Sequence, residues 1–219
     1  ALLAKRAARE TQLTKEAVLP DTRGAEEFYH GSSQPFELHE GSYSSTNIYG
    51  QGLYTTDDLA TANQYTKKIK VDDPDPVVYK LTEDEPVKFF DLDQSIDEAT
   101  ALKLQDAFEN QPDLLDLALD SVQPGASTAE IMDAIRDNMP RENVSTVVYQ
   151  ELIDNFIESL RKEGYGGFIH QGGKLAGKGK RLHKVKIYWE SDKLRQELVS
   201  DSVKQDVTTD LAVHKHTTE

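Results

Sequence analysis

Cysteine is absent from the 219 residues. Disulfides, thiolate zinc sites and a cysteine nucleophile are excluded with it, and the absence fits a reducing compartment. Positive charge is scarce: 25 Lys and Arg stand against 39 Asp and Glu, a net charge of -14. A general coat for nucleic acid needs the opposite sign, because Lys and Arg hold backbone phosphates. Only a local basic patch remains open. No apolar run approaches the ~20 residues that span a bilayer. The opening stretch is too charged for the apolar core of a secretory signal. It reads as an amphipathic helix over 2–18, with Leu2, Leu3, Leu13 and Val18 among Lys, Arg and Glu. An Arg-containing transit peptide is the other reading. Apolar residues make up 37% of the chain, enough for a core with much solvated helix and loop around it.

Pattern and punctuation predict the elements. Glu27–Tyr29 reads as a short strand running into His30-Gly31, and Leu53–Thr55 as another. Between them, residues 34–51 are rich in Gly, Ser and Asn and read as loop. Thr56-Asp57-Asp58 is a cluster of helix N-cap residues, which starts a helix running from Leu59 to about Lys68. Val77–Leu81 and Val87–Leu92 are strand-like. Over 94–163 the apolar spacing turns helical, from Ile96, Ala99 and Leu102 to Leu152, Phe156 and Leu160, with Pro112, Pro124-Gly125 and Pro140 at the joints. Strand signals return at Tyr165–His170 and Val185–Trp189, and a helical turn is expected near Asp192. We therefore expect one α+β domain over 1–205, with an N-terminal helix and a helical insertion at 94–163, and a flexible C-terminal tail over 206–219.

Two segments carry chemistry. In EFYHGSS, Gly31 lets a planar group approach the backbone, and its N–H and C=O match the two ends of a carboxamide. His30 can hydrogen-bond a ribose hydroxyl. A turn histidine is the plainer reading of that tripeptide alone. In GLYTTDDLATANQY, Tyr54 lies on a strand and Tyr65 follows on the helix, about three helical turns later, so two rings can flank a flat heterocycle. Either tyrosine by itself reads as a core residue.

His30-Gly31-Ser32, then Gly50-x-Gly52-Leu53-Tyr54, then a helix carrying Ala62-Asn63-Gln64-Tyr65 resembles the catalytic domain of the poly(ADP-ribose) polymerases and related His-Tyr-Glu ADP-ribosyltransferases. The FYHG opening is similar to the small rifampicin ADP-ribosyltransferases. GYGGFIH followed by VKIYW and ESDKLR resembles the end of phage and bacterial members of the superfamily. The resemblance covers about 27–82 and 160–196. It implies an α+β fold of split, mostly antiparallel β-sheets forming an NAD cleft. It implies NAD as substrate, with no metal. His30 would contact the adenosine-side ribose, Gly31 would clamp the nicotinamide carboxamide with Ser32 beside it, and Tyr54 and Tyr65 would line and stack on the nicotinamide. The nicotinamide–ribose bond would then break through an oxocarbenium-like transition state.

Two departures stand out. The helix serine of many members is Ala62 here, and the glutamate that opens their last strand aligns with Val185. We take His183, two residues earlier on the same strand face, as the substitute polar group. Glu190 lies beyond the strand centre, on the opposite face to Val185. Loss of the glutamate disfavours chain elongation and leaves mono-ADP-ribosyl transfer to a macromolecular acceptor, in the first instance a protein, with a nucleic acid still open. A catalytically inactive NAD or ADP-ribose module, or a structural domain of a larger phage or bacterial protein, are the other readings. The setting implied is the cytoplasm of a bacterium or its host, with virion delivery open, and no membrane.

The remaining motifs are weaker. Residues 172–179 nearly fit a phosphate-binding loop, but Gly179 stands where the magnesium-binding hydroxyl belongs and a strand follows. The same stretch, Lys174 to Lys184, is a basic island suited to an acidic acceptor. His214-x-His216 offers only two metal ligands. Glu83-Asp84-Glu85 and the aspartates at 72, 73 and 75 read as solvated loops, and Asp91 with Asp93 as a possible acid pair lacking a second set.

Overall fold

The computed structural model describes residues 26–38, 48–66, 74–139, 143–173 and 182–199. Among them the chain is an α+β protein with five helices and seven strands. In chain order these are β1 (Phe28–Ser32), β2 (Leu53–Thr56), α1 (Leu59–Tyr65), β3 (Val77–Glu83), β4 (Phe89–Asp91), α2 (Glu98–Ala107), α3 (Pro112–Ser121), α4 (Thr128–Asn138), α5 (Asn143–Arg161), β5 (Gly167–Gly172), β6 (His183–Tyr188) and β7 (Leu194–Leu198). The strand order is β4-β5-β6-β2-β1-β3-β7. The pairs β1–β2, β1–β3, β2–β6 and β3–β7 are antiparallel, and β4–β5 is parallel. Two compact units divide the chain: 1–23 with 43–52 and 87–170, and 24–42 with 53–86 and 171–219. The expected helix over 2–18, most of the basic stretch and the tail with His214 and His216 lie outside the described residues.

In the first unit, the parallel pair explains the helical stretch. Parallel neighbours cannot be joined by a tight hairpin and need a long crossover; α2 to α5 make it, between Asp91 and Gly167. Each helix start follows from local sequence. Asp97 caps α2 by accepting from the Thr100 N–H at 2.7 Å, and Pro112 opens α3. Ser127 and Glu130 form a reciprocal capping box at α4. The periodic apolar residues converge: Leu104, Phe108, Ile131, Met132, Ile135, Ile153, Phe156 and Leu160 are all buried. Phe156 stacks on Phe168 with ring centroids 6.3 Å apart and meets Phe90 edge-on at 5.9 Å, which seats α5 on β4 and β5.

The second unit is built on a nearly broken ladder. β1 and β3 share five register pairs, from Phe28↔Leu81 to Ser32↔Val77. β2 and β6 share four, from Leu53↔Tyr188 to Thr56↔Val185. β1 and β2 are joined at the single pair Tyr29↔Thr56. Cross-strand partners share a face, so Phe28, Leu81, Glu83, Leu53, Lys186 and Tyr188 lie on one side. Tyr188 is three residues past Val185 and Glu83 three past Lys80, on opposite sides of the joining level, and three strand spacings separate them. At ~4.8 Å per spacing and ~3.3 Å per residue, a flat sheet would hold them roughly 24 Å apart. Yet the Tyr188 hydroxyl donates to Glu83 at 2.8 Å. The sheet therefore folds sharply at the β1–β2 junction, and Phe28, Leu53, Leu81 and Tyr188 are buried inside the fold.

Two expectations are corrected. The turn expected near Asp192 is a single one, closed by the Leu194 N–H donating to the Ser191 carbonyl at 3.1 Å, and it leads into no helix but into β7, which pairs with β3 from Glu83↔Leu194 to Tyr79↔Leu198; an available strand edge outweighs weak local propensity. Glu83 is not a solvated loop acid but the last residue of β3, accepting from Lys186 and Tyr188.

Phe156→Ala should cost about 3–5 kcal/mol, as large-to-small changes at fully buried aromatics do, and Ser127→Ala about 1 kcal/mol through loss of the cap. Urea unfolding of the two variants checks both, with the ratio of the losses as the discriminating quantity.

Candidate functional site

The single β1–β2 pair leaves the two strands parting immediately beyond it, and His30 occupies the parting. Its Nδ1 lies 2.7 Å from the Tyr54 carbonyl oxygen. A carbonyl only accepts, so Nδ1 carries the hydrogen and the neutral ring presents Nε2 as an acceptor. The ring is held edge-on by Phe36 at 5.1 Å, and Phe36 in turn by Tyr79 at 5.3 Å. Burial of the imidazole pulls its pKa below the ordinary 6.5, against the opposing pull of the Tyr54 carbonyl. At neutral pH the group is thus an uncharged acceptor suited to an incoming hydroxyl.

Gly31 is required by the protein itself. A Cβ at this position would come 1.9 Å from the Ala62 carbonyl oxygen and 3.3 Å from Thr66 Cγ2. The side on which a Cβ would stand is taken by α1, which lies directly on the β1 backbone. Ala62 is wholly buried there. Local sequence sets the helix: Asp58 accepts from the Ala60 N–H and from Thr61 Oγ1, each at 3.1 Å, and its own N–H donates to Thr56 Oγ1 at 3.1 Å. The end of β2 is fixed to β6 by a reciprocal pair: the Asp57 N–H donates to the Lys184 carbonyl at 3.1 Å, and the Lys184 N–H to Asp57 Oδ1 at 2.8 Å.

Tyr54 is half-buried on β2, opposite Ile187, while Tyr65 ends α1 and is 45% exposed. Ser32 closes β1, with its hydroxyl accepting the Gln34 N–H at 3.3 Å. His30 meets the Tyr54 carbonyl at the strand parting with Gly31 beside it, and Tyr65 stands at the exposed end of α1. His183 is not brought there. It opens β6 four residues before Ile187, about 13 Å along the strand at ~3.3 Å per residue. Its ring lies over Gly172, where a Cβ would meet Nε2 at 2.5 Å. Val185 and Ile187, which face the β2 positions Thr56 and Tyr54, are apolar and buried, and Glu190 is exposed beyond the strand. Asp91 accepts from the Asp93 N–H at 2.9 Å, a local turn.

Sequence reasoning missed two groups. Asn63 Oδ1 is shielded from solvent with no hydrogen-bond partner among the described residues. Glu83 accepts from Lys186 Nζ at 2.7 Å and from Tyr188, and that ammonium also lies 4.4 Å from the Phe28 ring centroid. Burial, then the Glu83 carboxylate, pushes the Tyr188 phenol upward and keeps it a donor. The alternation of Lys186 and Tyr188 was a signal for a shared face, but their partner on β3 depends on the fold in the sheet. Among the described residues no group of three or more His, Asp or Glu is placed to hold a metal, and no helix is long and apolar enough to cross a membrane. Comparison with protein-family models, curated proteins and solved structures finds no match.

Gly31→Ala should displace α1 and cost at least about 1–3 kcal/mol, the range for overpacking, because the obstructing atom is backbone; thermal unfolding and the circular dichroism of the variant check it. For His30, the unfolded state takes up its proton first as pH falls. Stability should therefore be unaffected by His30 above about pH 6.5 and fall below it, down to the lowered folded value. His30→Gln should flatten that acid limb in chemical denaturation at graded pH.

Proposed function

We propose that this chain is a mono-ADP-ribosyltransferase, moving ADP-ribose from NAD to a macromolecular acceptor with release of nicotinamide. The observation that carries the reading is the His30 imidazole fixed on the Tyr54 carbonyl where β1 and β2 part. The mostly antiparallel, sharply folded strands of the second unit are compatible with the family resemblance of the segments that build it. In this reading the gap is the NAD cleft. His30 Nε2 accepts from a ribose hydroxyl. The Gly31 N–H and C=O pair with the carboxamide, and the rings of Tyr54 and Tyr65 flank the nicotinamide.

With NAD held bent, the bond between the ribose anomeric carbon and the nicotinamide nitrogen breaks, and the electron pair leaves with nicotinamide. An acceptor oxygen or nitrogen attacks the oxocarbenium-like carbon and releases its proton. Rate comes from positioning and from excluding water. The acceptor, in the first instance a protein, is engaged by the basic stretch from Lys174 to Lys184, in the bacterial or host cytoplasm. No carboxylate of β6 takes part, and His183 is left out of the catalytic set because of its distance from Tyr54.

The apolar, buried Val185 and Ile187 favour a second reading, a module that binds NAD or ADP-ribose without turnover. Labelled NAD incubated with the protein and a cell lysate separates the two. Transfer of label to macromolecules, reduced about a hundredfold in His30→Ala and Tyr65→Ala, is the expected result. Calorimetric NAD binding without nicotinamide release would establish the binding module instead.

A further inference from the structure

Because β1 and β2 share one register pair, that pair alone leaves the angle between the two sides of the gap poorly fixed. A second anchor is present on the inner face of the fold. One oxygen of Glu83, at the end of β3, accepts from both Lys186 Nζ and the Tyr188 hydroxyl on β6. Lys186 also places its ammonium over the Phe28 ring on β1. The ion pair is largely shielded, with side-chain exposures of 16% for Lys186 and 23% for Glu83. Charge-assisted hydrogen bonds are stronger and geometrically stricter than neutral ones.

The bridge ends where the gap needs it. Tyr188 pairs with Leu53, and Ile187, between the two bridged residues, pairs with Tyr54. Holding Lys186 and Tyr188 therefore holds the stretch of β2 whose carbonyl receives His30. Opposite them, Glu83 belongs to the strand that carries β1 through five register pairs.

We infer that Glu83 is a positioning residue: through Tyr188 and Lys186 it sets the width of the β1–β2 gap, and so the affinity of the gap for a dinucleotide. The ligand part rests on the proposed function, and the geometric part does not. The effect of Glu83 is carried by β6 to Tyr54 and by β3 to His30.

The test uses the whole chain with Glu83→Gln, Glu83→Ala and Tyr188→Phe, and two readouts. One is exchange of the His30 Nδ1–H, followed by NMR; the other is NAD affinity by calorimetry. Glutamine can still accept from both partners but leaves the Lys186 charge uncompensated, so Glu83→Gln should fall between the parent and Glu83→Ala in both readouts. Tyr188→Phe keeps the buried ring and loses only the hydroxyl. It should exchange the His30 proton at least about tenfold faster and bind NAD about tenfold more weakly. Glu83→Ala should do the same or more, and if it fails to fold, Tyr188→Phe decides alone. Exchange unchanged in a folded Tyr188→Phe, or lost equally in Glu83→Gln, overturns the inference. If the parent has no affinity for NAD, the functional reading falls, while the exchange measurement still decides the role of Glu83.

Discussion

The second unit depends on a carboxylate that reaches across a sheet. Without the folding of β2 and β6 over β1 and β3, Glu83 and Tyr188 would be far beyond each other's reach; with it, one oxygen of Glu83 gathers two donors. That arrangement has a cost. A charged pair taken from water is stabilising only when its hydrogen bonds are made, and here they are made in a layer otherwise filled by Phe28, Leu53 and Leu81. The apolar layer brings the two sides together, and the polar bridge selects one angle among those that bury the same surface.

The strand parting follows from this. A ladder reduced to one pair exposes backbone groups that an ordinary sheet would consume, and a side chain can enter between the strands. His30 does so, and its tautomer is set by the carbonyl it meets. The helix α1 stabilises the arrangement from the other face, packed so closely on Gly31 that no side chain fits between them. A closely packed helix, a wedged imidazole and a largely shielded bridge thus define one small region of the molecule from three directions.

Much of this was legible in the sequence where the cause is local. The Thr56-Asp57-Asp58 cluster announced α1, and the apolar spacing from Leu104 to Leu160 announced a helical core, while the Ser127–Glu130 capping box of α4 went unread. The resemblance drew attention to His30 and Tyr54, but the contact the structure shows between them is with the Tyr54 backbone carbonyl. What else could not be read has a long-range cause. Residues Leu194–Leu198 are a strand only because β3 presents an edge to them. Glu83 resembles its exposed neighbours Asp84 and Glu85 until the sheet folds. His183 shares a face with Val185, as strand periodicity requires, yet its place along β6 puts it over Gly172 and away from Tyr54.

The crossover between β4 and β5 has a kinetic side. The helices α3 and α4 are near neighbours in sequence that pack on each other and can form early, whereas α2 must wait for α5, and Phe89 to Asp91 for Gly167 to Ile169. Closing so long a loop before its reward is collected slows assembly. During synthesis β4 emerges well ahead of its partner and must remain unpaired while the whole helical stretch is made. Its two phenylalanines, Phe89 and Phe90, stay without their strand partner through that interval.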